Sequence, residues 1–247
     1  MSQRVLILGA TSAIAAEVAR LYAARGARLC LVGRNAEKLA RLALELPADL
    51  VTSAVADFAN LGNAEAVVRA AIDALGGVDV ALIAHGDLGD QLETERSFAA
   101  AEAVITANFT SAVALLLPLA NHMEAARGGT LGVITSVAAE RGRPRNYTYA
   151  SAKGALNVYL QGLRTRLYPA GVKVTTLKLG SVDTPMTATH KKNLVFSKPA
   201  AVARDIVAAL DAGAAEAYVP AYWAAIMTIV RHTPERLFQR LPFLSGR

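Results

Sequence analysis

Short apolar runs alternate along this chain with longer segments whose apolar positions recur at helical spacing. The runs fall near residues 4–8, 28–33, 50–55, 78–84, 130–136, 172–178 and 216–219. Between them, Ile14, Val18 and Leu21 mark a helix over 13–25, and long helices are expected over roughly 92–125 and 146–169. Gly171 fits a helix stop just ahead of the sixth run. Strands alternating with helices predict a parallel sheet covered by helices on both faces. A closed eight-fold barrel would need eight comparable units. Seven runs fit a doubly wound α/β sheet better, with residues 1–247 forming a single domain. Ligands of such sheets bind beyond the carboxyl ends of the strands. Gly9, Gly33, Asp57, Gly86, Ser136 and Gly180 all end or follow a run, so they are expected to gather on one edge.

The first run, Arg4 to Leu8, leads into Gly9-Ala10-Thr11-Ser12 and then a helix. Strand, glycine turn and helix are the layout of a Rossmann-type dinucleotide site. Gly9 permits the sharp turn, and the helix N-terminus presents unpaired N–H groups to a diphosphate. Thr11 and Ser12 are candidate caps. Ala13 and Ala15 stand where a full fingerprint has glycines. The last of these positions accepts alanine, so Ala13 is the departure, with a methyl facing the phosphate or nicotinamide end of a cofactor. The second run ends Leu31-Val32-Gly33-Arg34-Asn35, with no acidic residue to hold a ribose 2′-hydroxyl. Arg34 suits a 2′-phosphate instead, and Thr11 or Ser12 adds a hydroxyl. This favours NADPH over NADH, and reduction as the working direction. The plain alternative is an exposed arginine that merely opens the next helix.

Chemistry concentrates in Tyr149-Ala150-Ser151-Ala152-Lys153, with Ser136 upstream at the end of the Leu131–Thr135 run. A tyrosine and a lysine four apart on a helix share one face. A nearby ammonium favours phenolate and lowers a pKa that is otherwise about 10. Such a phenol exchanges a proton with a carbonyl or alcohol oxygen, and a serine at a strand's carboxyl end can hydrogen-bond the same oxygen. A surface Tyr and Lys on an ordinary amphipathic helix would show the same spacing.

With both ends in view, nearly the whole chain resembles the short-chain dehydrogenase/reductase family. Gly9-Ala10-Thr11-Ser12-Ala13-Ile14-Ala15 matches its glycine turn imperfectly. Asp57, followed by Phe58, sits where the family contacts adenine. Ile83-Ala84-His85-Gly86 replaces Asn-Asn-Ala-Gly and keeps only the last glycine. Asn108, Ser136, Tyr149 and Lys153 match the catalytic tetrad. Leu179-Gly180 replaces Pro-Gly, and Val182, Thr184 and Met186 match the segment that contacts the nicotinamide amide. The resemblance implies that Ser136 holds a substrate carbonyl oxygen while nicotinamide delivers hydride and Tyr149 gives the proton. It also implies that Lys153 lowers the tyrosine pKa and binds the nicotinamide ribose, and that Asn108 organises a proton-relaying water. It implies no metal, and a homodimer or homotetramer.

The chain has 247 residues, of which 53% are apolar, many of them alanine, as suits closely packed helices. The one cysteine, Cys30, lies inside a predicted buried strand; this excludes an intrachain disulfide and fits a reducing cytoplasm. No signal peptide is visible, and no stretch reads as long and apolar enough to span a bilayer. The net charge of +6 is scattered, apart from Arg141-Gly142-Arg143-Pro144-Arg145 and Lys191-Lys192, and aromatic residues are sparse. Nucleic-acid binding is therefore not expected, and an anionic substrate or cofactor accounts for the charge. His122 and His232 read as helix-surface residues. His85 follows the fourth strand, either as a contact near the adenosine ribose or substrate or as a structural imidazole.

Residues 184–198 are expected to form a substrate loop, made polar by Thr187, Thr189, His190, Lys191, Lys192 and Asn193. Residues 222–247 form an apolar and basic extension. Tyr222 to Val230 are apolar; Arg231, Arg236 and Arg240 follow, with Leu237, Phe238, Leu241, Phe243 and Leu244 among them. The plain reading of this extension is a helix docking on the core or on a partner subunit. It is also expected to wall the substrate pocket and to offer an apolar surface to a partner or, by peripheral contact, to a membrane. The tail, the turn alanine and Leu88-Gly89-Asp90 also resemble bacterial reductases of decaprenylphosphoryl keto-sugars, which would imply a lipid-linked carbonyl substrate. Two other classes stay open at this point: a non-catalytic dinucleotide-binding regulator and a peripheral membrane scaffold.

Overall fold

The computed structural model describes residues 2–188, 192 and 195–242. The expectations placed on Thr189, His190, Lys191, Asn193, Phe243 and Leu244 lie outside the described residues. Seven strands, β1 (Arg4–Leu8), β2 (Arg28–Gly33), β3 (Val51–Val55), β4 (Val80–Ile83), β5 (Thr130–Ser136), β6 (Lys173–Leu179) and β7 (Glu216–Val219), form one parallel sheet in the order 3-2-1-4-5-6-7. The helices are α1 (Ala13–Ala24), α2 (Ala36–Leu44), α3 (Ala64–Leu75), α4 (Gln91–Thr94), α5 (Phe98–Ile105), α6 (Ser111–Ala126), α7 (Tyr147–Leu167), α8 (Pro199–Ala212), α9 (Trp223–His232) and α10 (Glu235–Arg240).

Side-chain alternation splits the core between the two faces of the sheet. Leu6 and Leu8 of β1 pack with Leu115, Leu116, Leu119, Leu156 and Leu160 of α6 and α7. Val5 and Ile7 pack with Val18 and Tyr22 of α1 and Ile206 of α8. The strand order reverses between β1 and β4, which opens a crevice at their carboxyl ends. Gly9 sits at that point with φ +90°, and a Cβ there would lie 2.7 Å from the backbone nitrogen of His85. The close approach of these two turns therefore requires glycine.

Two expectations are corrected here. The helix read over 92–125 is three pieces. Ser97 caps α5 by accepting from Ala100 N at 3.3 Å, and a π-turn over Thr106–Thr110 separates α5 from α6. The apolar pattern runs through the π-turn, so hydropathy alone misses it, whereas the polar stretch Glu93-Thr94-Glu95-Arg96-Ser97 interrupts the pattern at the first break. The reading that no segment is long and apolar enough to span a bilayer also fails by length and composition, because Phe98–Ala126 passes that test. Leu115, Leu116, Leu119 and Met123 of this segment are buried in the protein core.

The described part of the C-terminal extension, residues 222–242, is folded against its own chain. Trp223, Met227 and Val230 of α9 and Phe238 of α10 form a buried cluster with Val137. The apolar surface predicted for a partner or membrane is thus largely consumed within the chain, which leaves Tyr222, Ile229 and Leu237 exposed. Arg141 fastens the extension. Its guanidinium donates to Val230 O at 2.7 Å and Thr233 O at 2.5 Å, pairs with Glu235 at 2.7 Å, and lies 3.8 Å over the Phe238 ring. Beneath it, Lys178 of β6 is buried between Glu140 at 2.6 Å and Glu216 at 2.7 Å, and the Tyr218 hydroxyl donates to Glu140 at 2.9 Å. Burial alone would lower the Lys178 pKa, but the two carboxylates outweigh it and hold it above its ordinary value.

Candidate active site

The nucleotide half of the edge is built around α1. Ser12 caps it by accepting from Ala15 N at 3.1 Å. The N–H groups of Ala13 and Ile14 precede the first helical hydrogen bond, from Ala16 N to Ser12 O, and are available to an anion. Ala13, the departure from the glycine fingerprint, is the first residue of this helix and only half-buried. Thr11 is not a cap. It lies against the end of β2, where a Cβ on Gly33 would come within 3.1 Å of its methyl. Arg34 is exposed beyond β2 and makes no ion pair among the described residues, while Asn35 takes the capping role for α2. Asp57 is held in a turn by accepting from Ala59 N at 3.0 Å. Phe58 lies against His85, with ring centroids 4.7 Å apart and planes tilted by 45°.

His85 Nε2 is 2.8 Å from Ser111 Oγ, and its Nδ1 is buried without a partner among the described residues. Burial, reinforced by the charge of Lys153, pushes its pKa down to about 3, so the ring is neutral. The imidazole thus has one tertiary hydrogen bond and one tilted aromatic contact.

The chemical half lies where β5 meets α7. Ser136 pairs with Leu179 in the sheet, and its Oγ accepts from Ala138 N at 3.1 Å, which turns the chain into a 3₁₀ segment over Val137–Glu140. Tyr149 and Lys153 share one face of α7. The Lys153 ammonium is 3% exposed and donates to Ile134 O at 3.1 Å. Burial brings its pKa down to about 8. The same burial drives the Tyr149 phenol up to about 12, and a hydrogen bond with Ser136 opposes this only in part. Burial is thus the dominant influence on the phenol, which is held above its ordinary value and protonated at neutral pH rather than lowered as expected.

Asn108 is 1% exposed within the π-turn, a distortion frequent at functional sites. Its Nδ2 donates to Val104 O at 2.8 Å and Asp87 O at 2.5 Å, and its Oδ1 accepts from Asp87 N at 3.1 Å. The side chain is therefore fully used in clamping the loop after β4. That loop begins at Gly86, which packs between Asn108 and Lys153. Neither this packing nor the clamp was legible beforehand, although the glycine ending the β4 motif was a signal.

Gly180 follows β6, donates to Val219 O at 3.0 Å, and lies directly against the Trp223 indole. Val182 is buried, Thr184 caps a 3₁₀ turn over Pro185–Thr187, and Met186 is exposed on that turn. An isolated bridge between Val182 and Ser197 closes the base of the loop. A cavity of about 190 Å³ opens beside Asp87, Asp90 and Val104. A larger one of about 390 Å³ lies between α3 and the later turns of α6, away from these groups.

A family model described as short chain dehydrogenase matches residues 3–194. The chain belongs to the short-chain dehydrogenase family. Membership makes it an NAD(P)-dependent oxidoreductase. An uncharacterized oxidoreductase of Streptomyces coelicolor is 34% identical over 239 residues, covering 96% of this chain and 95% of that protein. The uncharacterized oxidoreductase Rv2073c of Mycobacterium tuberculosis is 33% identical over 241 residues, covering 96% of each. Among solved structures, a short-chain dehydrogenase of Burkholderia cenocepacia in complex with NADP superposes with a TM-score of 0.83 at 20% identity, covering 97% of both chains. An actinorhodin polyketide ketoreductase variant with NADPH gives 0.78 at 23% identity, covering 88% of this chain and 95% of that one. At these identities the superpositions speak to the shared dehydrogenase fold.

Proposed function

We propose that this short-chain dehydrogenase reduces a carbonyl compound with NADPH, with Tyr149 as proton donor. The observation that carries the reading is the convergence of Ser136, Tyr149 and Lys153, with Gly86 and Asn108 behind them, beside the β1–β4 crevice. The free N–H groups of Ala13 and Ile14 fit a diphosphate, Arg34 a 2′-phosphate, and Lys153 the nicotinamide ribose. Asp57 and Phe58 would flank the adenine, and Gly180, Val182, Thr184 and Met186 the nicotinamide. NADPH supplies the hydride when bound. Ser136 orients the carbonyl oxygen, and Tyr149, kept protonated by its buried setting, donates to that oxygen. Lys153 keeps a positive charge behind the phenol at neutral pH and favours its ionised form as the proton leaves. The two NADP-bound structural neighbours support the choice of cofactor.

NADPH oxidation over a panel of ketones, including hydrophobic and lipid-linked keto-sugars, tests the reading. Tight NADPH binding without turnover on any of them would favour a non-catalytic regulator. A homodimer completes the proposal, since Leu117 of α6 and Val158 of α7, on adjacent helices, are 47% and 67% exposed. Light scattering on Leu117→Asp with Val158→Asp, against the parent chain, tests that contact.

A further inference from the structure

Three arginines follow the serine of the candidate site, in Arg141-Gly142-Arg143-Pro144-Arg145. Arg141 is fully engaged in fastening the extension. The buried carboxylate of Glu140, three residues before Arg143, is held by Lys178, Tyr218 and Arg231. Arg143 has no such partner. Among the described residues its Nε is buried without a hydrogen bond, its Nη2 meets the Met227 sulfur at 3.9 Å, and no ion pair to it exists. Burial, and the like charge of Arg145, lower its pKa. A guanidinium taken partly out of water without a carboxylate is costly.

One turn of α9 before Met227 stands a second unpaired donor. The Trp223 indole Nε1 is buried without a hydrogen bond among the described residues, in the same cluster as Met227, and so close to Gly180 that a Cβ there would fall 1.8 Å from it. Gly180 directly follows Leu179, the sheet partner of Ser136. Two unpaired donors, one of them charged, thus stand on the wall between the proton-donating helix and the C-terminal extension.

We propose that this wall is a subsite for an anionic group of the substrate, a carboxylate or phosphate, paired by Arg143 and hydrogen-bonded by the Trp223 indole. The proposal rests on the carbonyl-reductase reading, since it supplies that reading's substrate class. The planar fork of arginine matches the oxygens of either anion, and an indole N–H is a donor only. The ligand is then a keto compound whose charge lies on the α9 side of its carbonyl.

Matched probes test this: acetoacetate against methyl acetoacetate, and dihydroxyacetone phosphate against dihydroxyacetone. Each is assayed for NADPH-dependent reduction and for quenching of Trp223, the one tryptophan in the chain, in the protein–NADP⁺ complex. The anionic member of at least one pair is expected to have the lower KM and to quench saturably; which pair responds identifies the anion. Arg143→Met should raise that KM about 10- to 100-fold and abolish the quench. It should leave the neutral partner's KM, and kcat for both, within about threefold. Arg143→Lys, which keeps charge without the fork, should fall between. NADPH affinity serves as the folding control for both variants. Turnover with no preference for the anion, or a preference indifferent to Arg143→Met, overturns the subsite and leaves the reductase standing. If no ketone turns over, the reductase reading fails, and the quench still decides: saturation by an anion that depends on Arg143 supports the subsite, and its absence overturns it.

Discussion

Gly86 lies so close beneath Asn108 that a Cβ at this position would come within 2.7 Å of Oδ1, with Lys153 Nζ 3.3 Å away. The loop after β4 thereby fixes two of the four polar groups of the candidate site at once. Gly86→Ala must displace either the Asn108 clamp or the lysine. Overpacking of this kind costs about 1–3 kcal/mol. Turnover is expected to fall by more than about tenfold with NADPH affinity also reduced, because a misplacement near 1 Å can cost about a hundredfold. Steady-state kinetics beside a urea denaturation curve checks both effects.

Tyr149→Phe removes the proton donor and keeps the ring. Its kcat is expected to fall by about 10²- to 10⁴-fold, the usual worth of general acid catalysis, with the NADPH dissociation constant nearly unchanged. Activity within about threefold of the parent chain would remove Tyr149 from the chemistry.

Arg34→Asp removes a 2′-phosphate partner and introduces an acceptor for a ribose hydroxyl. The ratio of NADPH to NADH affinity is expected to invert, with NADPH weakened by about 10- to 100-fold. Titration of both cofactors into the two proteins checks this. Equal affinities in the unmodified chain would already overturn the assignment.

His85 is held neutral in the folded protein, with its pKa pushed down to about 3, whereas the unfolded chain titrates near 6.5. Below the unfolded value the unfolded state binds a proton that the folded state refuses. Stability is therefore lost as pH falls from about 6.5 towards 3. Between pH 7 and 5 this linkage is worth up to about 2 kcal/mol. His85→Gln should lose correspondingly less stability over that interval, as read from urea midpoints at the two pH values.

Much of this arrangement was legible in the sequence. Each strand was placed within about two residues of its observed ends, because continuous apolar runs between turns are a strong local signal. The glycine turn, Ser136 and the Tyr149–Lys153 pair depend on short-range spacing, and the fold carries them to the predicted edge. What escaped depends on contacts between distant segments. The π-turn around Asn108 leaves the apolar pattern intact, so only the backbone reveals it, whereas the polar stretch Glu93–Ser97 did signal the first break. Docking of the apolar extension on the core was one of the readings open in the sequence, but sequence cannot show that Val137, far upstream, helps bury Trp223 and Met227. The direction of the Tyr149 pKa escaped for a related reason: residue spacing reports a neighbouring charge but not the desolvation that opposes it.

The fastening of α9 and α10 by Arg141 bears on how the enzyme can be re-engineered. A specificity swap that transplants residues 222–247 from a relative would arrive without its anchor, since the arginine that holds the segment belongs to the loop after β5. The functional module to exchange is discontinuous. It comprises the short stretch from Val137 to Arg145 together with the tail, and a chimaera that moves only one half is expected to keep its Rossmann core while losing order at the substrate wall.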